Sequence, residues 1–158
     1  MIQGRELRAI ALGRGPVEKA VAYSSAGTYQ LFTVTGGRVL ITALWGVVTT
    51  AMTGANSINL QTDPTVGDTI VVVTATDLGT TDTAAGTTIG VGTFQPDVAS
   101  TGAFAETHFV RGGFALQGLV VTTGEVESVG TEGTINGAIT WYCTWIPLDD
   151  GAELVASA

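Results

Sequence analysis

Residues 133–147 constrain the fold more than any other stretch of this chain. In an extended backbone, alternate side chains point to opposite faces. Here that places Ile135, Ile139, Trp141, Cys143 and Trp145 on one side. Thr134, Asn136, Thr140, Tyr142, Thr144 and Ile146 fall on the other. β-branched and aromatic residues dominate, no charge interrupts them, and the period is two. The pattern predicts a central strand with one heavy face, its core formed by Ile139, Trp141, Cys143 and Trp145. Pro147 cannot donate to a ladder and closes the strand.

The rest of the chain repeats this pattern in shorter pieces. Alternating or β-branched runs occupy residues 17–23, 28–35, 38–51, 55–62, 69–76, 87–94, 103–111, 114–123 and 124–130. Turn signals such as Gly36-Gly37, Asp63-Pro64, Gly67-Asp68 and Gly112-Gly113 separate them. Strands punctuated roughly every 8–12 residues mark an all-β sandwich or barrel. The expected fold is therefore all-β, a jelly-roll-like sandwich or barrel of about nine to ten short strands. Residues 152–158 read as a small-residue tail. Gly13-Arg14-Gly15-Pro16 breaks the chain near its start, which sets residues 1–16 apart as an arm and leaves 17–158 as one β-sandwich domain.

Residues 38–51 are the second strong segment. Strict alternation puts Val39, Ile41, Ala43, Trp45 and Val47 on one face, with Leu40, Leu44 and Val48 on the other. A helix competes for so long a segment, but its β-branched content and Gly46 favour a strand. Apolar residues on both faces suit a strand covered on two sides, at a sandwich centre or under a subunit contact. Val39, Ile41, Leu44 and Trp45 are accordingly the candidates for a subunit interface.

Charge is sparse and unevenly placed. Only 13% of residues are charged, and the formal net charge is −8. That balance argues against a nucleic-acid partner. Residues 1–19 nevertheless carry Arg5, Arg8, Arg14 and Lys19 against Glu6 and Glu18, a net of +2. The remainder sets Arg38 and Arg111 against 12 acids, a net of −10. The plain reading is a solvated start; the sharper one is a basic arm that docks on an acidic neighbour, either another copy or a larger assembly.

The chemistry-bearing residues are few. One histidine, His108, and one cysteine, Cys143, exclude a zinc centre by inventory, and no metal or cofactor is expected. Cys143 lies in an apolar strand face and reads as a small core hydrophobe. No Gly-x-Ser-x-Gly elbow is present, so His108 has no evident nucleophile to serve. Asp63 with Asp68, Asp77 with Asp82, and Asp149 with Asp150 are oxygen-rich enough for calcium, but turn-forming aspartate explains them more simply. Glu125 and Glu127 share a strand face, read as solvated. No apolar run of about 18 residues predicts a membrane span, and no leader is expected at Met1. The expected setting is a reducing cytoplasm until assembly.

With residues 133–147, the charge-poor Gly/Thr/Ala-rich body and the closing Leu148-Asp149-Asp150-Gly151-Ala152, the chain resembles the head decoration proteins of tailed bacteriophages, also called cement or capsid-stabilising proteins. The resemblance is one of overall style and transfers no catalytic motif. It implies a non-enzymatic β-rich protein, a homotrimer, made in the host cytoplasm and placed on the outside of the assembled capsid. The implied partners are the major capsid protein and neighbouring copies, reached through a terminal arm. Arg5, Arg8, Arg14 and Lys19 would suit such an arm. The rival readings are another virion component (tail, fibre or minor head protein) and a carbohydrate-binding β-sandwich module.

Overall fold

The computed structural model describes residues 13–79, 83–90, 109–111 and 117–158. Within them the chain forms strands and no helix: β1 (Arg14–Ala22), β2 (Gly27–Thr35), β3 (Val39–Thr50), β4 (Ser57–Pro64), β5 (Ile70–Asp77), β6 (Thr88–Gly90), β7 (Phe109–Arg111), β8 (Gln117–Val121), β9 (Gly124–Gly130), β10 (Ala138–Pro147) and β11 (Glu153–Ala156). They lie in two antiparallel sheets. The six-stranded sheet runs β1-β10-β3-β8-β7, with β6 also paired to β3; the five-stranded sheet runs β11-β2-β9-β4-β5. Neither sheet closes on itself, so the fold is a sandwich and not a barrel.

The strand order is that of a jelly roll. β1 pairs with β10, β2 with β9 and β3 with β8, and these nested pairs alternate between the two sheets. A long double ribbon is thereby wrapped around one core. β6 and β7 are short additions to the six-stranded sheet, and β11 extends the other sheet beyond β2. β11 falls in the segment read from sequence as a tail. Its signal is weak because it is a four-residue edge strand with only Leu154 buried.

β10 is the central strand the sequence predicts. It is flanked by β1 and β3, and Ile139, Trp141, Cys143 and Trp145 all point into the core. Facing them across the sandwich are Phe32, Val34, Ile58, Leu60, Val126 and Leu154. Burying such side chains contributes about 1.5–3 kcal/mol each. A polar link also crosses the core. Trp141 Nε1 donates to Tyr23 Oη at 3.0 Å, and that hydroxyl lies 2.8 Å from Ser128 Oγ in β9.

Three features differ from the sequence reading. The central strand begins at Ala138 and not at residue 133. Arg14, Gly15 and Pro16, expected in the arm, are the first residues of β1, with Arg14 in register with Trp145. In β3, strict alternation fails. Ile41 pairs with Trp145 and Ala43 with Thr144, so β3 carries one residue more than β10 at Thr42. Such a bulge moves every later side chain to the opposite face. Val39 and Ile41 point inward before it; Leu44 and Val48 point inward after it.

Candidate functional site

Two surfaces stand out from the core. The first is the outer face of the six-stranded sheet. Downstream of the bulge, Trp45 is turned outward and stacks on its cross-strand partner Tyr142, with ring centroids 5.4 Å apart and planes 14° off parallel. Leu40, Val47, Val120 and Ile146 alternate with inward residues on the same three strands and are half-buried. Gly46 stands opposite Trp141, and a Cβ there would sit 2.6 Å from Ile139 Cγ2 and 3.1 Å from the indole. The glycine thus makes room for the inward tryptophan beneath the outward one.

This geometry corrects the interface reading. Val39, Ile41 and Leu44 are buried between the sheets and face no subunit. Of the four candidates, Trp45 alone reaches the outer face. The apolar second face inferred from sequence does exist, but its members are Leu40, Trp45 and Val47.

The second surface is a shallow polar cleft of about 710 Å³ where β1 meets the outer face of the five-stranded sheet. Lys19, Gln30, Gln61, Asp63, Glu127 and Ala158 are among its lining residues. β9 is the middle strand, so Glu127 is flanked directly by Gln30 on β2 and Gln61 on β4. Gln61 Nε2 donates to Glu127 Oε2 at 2.8 Å. Glu125, one step along the same face, accepts the hydroxyls of Thr33 and Ser157, each at 2.9 Å, and stands opposite Asp63. Asp63 in turn accepts the Thr69 hydroxyl at 2.7 Å. Glu127 is only 5% exposed. The solvated face expected for Glu125 and Glu127 is therefore half wrong: neighbours on both sides bury Glu127. Gln30 and Gln61 went unnoticed in the sequence, since no local signal says which strands flank β9.

The basic residues divide. Lys19 belongs to β1, and its Nζ donates to the carbonyls of Ser157 at 2.6 Å and Ala158 at 3.1 Å. Arg14 sets its guanidinium 5.3 Å from the centroid of the Trp145 ring, a cation–π placement. Neither is an arm residue. Arg5, Arg8, His108 and Asp82 lie outside the described residues.

The aspartates serve turns. Asp77 Oδ1 accepts the backbone N–H groups of Asn56 at 3.0 Å and Gly79 at 2.8 Å. Asp149 takes a bidentate grip from Arg38, Nη2 to Oδ1 at 2.7 Å and Nε to Oδ2 at 2.9 Å, and accepts the Arg38 backbone N–H as well. Hydrogen bonding from Arg38 holds the Asp149 carboxyl down at about 2. Among the described residues, no three His, Cys, Asp or Glu side chains gather to hold a metal ion. Burial pushes the Cys143 thiol well above its usual range, which leaves it a packing group. Asn56 and Asn136 complete the frame beside β4 and β10: Asn136 N donates to Asn56 Oδ1 at 2.7 Å, and Asn56 Nδ2 returns to Asn136 Oδ1 at 3.1 Å.

No known protein family, curated protein or solved structure matches the chain.

Proposed function

We propose that the protein is a non-enzymatic structural component of a phage virion. It sits on the outside of the assembled capsid as a homotrimer and stabilises it. Its N-terminal segment contacts the major capsid protein and neighbouring copies. The observation that supports this best is the outer face of the six-stranded sheet, where Trp45 stacks on Tyr142 and the half-buried Leu40, Val47, Val120 and Ile146 lie outside the core. Apolar surface of that kind marks a protein contact. The jelly roll is shared by viral capsid and lectin domains, which is support by analogy of fold alone. A ligand that binds only the assembled lattice stabilises it by mass action, and weak contacts repeated over a lattice add through multivalency.

The test is binding to expanded capsids. Deleting residues 2–12 leaves β1 whole, and the shortened protein should keep its fold but no longer sediment with capsids. Binding at full strength would sink the role given to the N-terminal segment. Localisation to tails by immunogold labelling would move the protein to another part of the virion.

A further inference from the structure

The segment leading into β10 contains a pair of residues with chemistry of its own. Asn136-Gly137 lies directly before Ala138, the first residue of β10, and both members are half-buried. Of the asparagines Asn56, Asn59 and Asn136, the last alone precedes a glycine. An asparagine before glycine is the pair most prone to lose its side-chain amide, because no Cβ shields the following backbone nitrogen. The fold demands each member separately. Gly137 has a φ of +88°, and a Cβ there would lie 2.8 Å from Met52 Cγ and 2.9 Å from the Ala51 carbonyl oxygen. Its own carbonyl accepts the Tyr23 backbone N–H at 2.9 Å. The Asn136 side chain ties the segment to Thr53 and Asn56. Its Oδ1 accepts the Thr53 backbone N–H at 3.0 Å and Asn56 Nδ2 at 3.1 Å. Its Nδ2 donates to the Thr53 carbonyl at 3.0 Å and to Thr53 Oγ1 at 3.1 Å.

We propose that Asn136 is a deamidation site that the folded sandwich holds shut and that local opening exposes. The Gly137 backbone nitrogen, having lost its proton to solvent hydroxide, attacks Asn136 Cγ. A bond forms between those two atoms, the Cγ–Nδ2 bond breaks, and the amide nitrogen leaves as ammonia. Water then opens the cyclic imide at one carbonyl or the other. The product is aspartate, or isoaspartate, in which the main chain runs through the former side chain. Attack requires Cγ to swing over the Gly137 nitrogen, and that swing breaks the hydrogen bonds to Thr53 and Asn56. Local opening removes the restraint. Conversion is then one-way, and the product no longer fits. Aspartate puts an oxygen where Nδ2 donated, facing the Thr53 carbonyl oxygen. Isoaspartate lengthens the main chain where Gly137 is already packed against Met52 and Ala51. Either change loosens β10 at its first residue, where its pairing with β1 and β3 begins. This chemistry is independent of the assembly role proposed above, and its test uses no capsid.

The experiment follows residue 136 in the full-length protein at mildly alkaline pH, by peptide mapping that separates asparagine, aspartate and isoaspartate. The native protein should convert about tenfold more slowly than the same chain in denaturing urea, the net worth of one or two hydrogen bonds. Asn56→Ala removes the Nδ2 donor to Asn136 and should raise the native rate while leaving the rate in urea unchanged. Asn56 is fully buried, so a milder variant guards against simple unfolding. Thr53→Ala, at an exposed position, removes only the hydroxyl acceptor and should raise the native rate in the same way, by a smaller factor. Asn136→Asp supplies one conversion product directly and should lower the urea midpoint. Equal rates in native protein and in urea overturn the proposal. So does native conversion that neither substitution accelerates, or an Asn136→Asp protein with an unchanged urea midpoint.

Discussion

At the scale of single residues, Tyr23 has the most to lose. Its hydroxyl joins Trp141 on one sheet to Ser128 on the other, inside the core. Tyr23→Phe leaves the indole N–H without its acceptor and should cost about 1–3 kcal/mol, read from urea denaturation. Burial holds the phenol proton up to about 12, against 10.0 for the free side chain. A folded value raised above the unfolded one gives stability that is complete below pH 10 and is lost as pH climbs through 12. The urea midpoint should therefore fall across that window, and Tyr23→Phe should flatten the fall. Asp149 has the opposite sign. Its carboxyl sits at about 2 in the fold and 3.8 unfolded, so its contribution is present above pH 3.8 and vanishes as pH drops through 2. Asp149→Asn should remove that acid-side slope. The effect will be modest and will shrink with added salt, because the pair is exposed.

At the scale of the strand, β3 shows what pattern alone conveys. β10 was legible in its face though not in its start: it begins at Ala138 and not at residue 133, but its period of two survives unbroken from Ile139 to Trp145, and its core face is the predicted one. The same rule applied to β3 grouped Trp45 and Val47 with the inward Val39 and Ile41, and Leu44 and Val48 with the outward Leu40, because the extra residue at Thr42 leaves no mark in local composition. Long-range register decides it, and register is set by the partner strand. β9 taught the same lesson. Its alternation was plain, but the burial of Glu127 depends on Gln30 and Gln61, which come from strands distant in sequence. Gly46 offers a direct check on the β3–β10 seam. Gly46→Ala forces a methyl group against Ile139 and the Trp141 ring, and should destabilise by about 1–3 kcal/mol through overpacking. Ala at Gly133, where a Cβ would meet nothing within 4 Å, is the matched control and should be close to neutral.

At the scale of the whole molecule, the described sandwich starts with β1. β1 begins at Arg14, and its register with β10 starts there. Removing residues 2–12 should leave the melting temperature within a degree or two, since no described strand is cut. Light scattering on the intact 16.1 kDa chain should give near three times that mass. The shortened chain should give less if the amino-terminal segment bridges copies, whereas an unchanged mass would place the contact on the apolar outer face instead.

The nested order of the strands also governs how the protein can be made. β1, β2 and β3 wait for β10, β9 and β8, so the first strands off the ribosome have no partners yet. Lys19 and its acceptor Ser157 are 138 residues apart, on the order of ten seconds of translation. During that interval β3, apolar on both faces, is an unpaired ribbon, the situation that recruits chaperones. Pairings this distant also slow the search for the native state, toward the millisecond-to-second end of the range for small proteins. A ribosome halted before β10 holds a chain whose β1 has no sheet partner and whose β3 has one flank open, so the six-stranded sheet closes only once β10 is made.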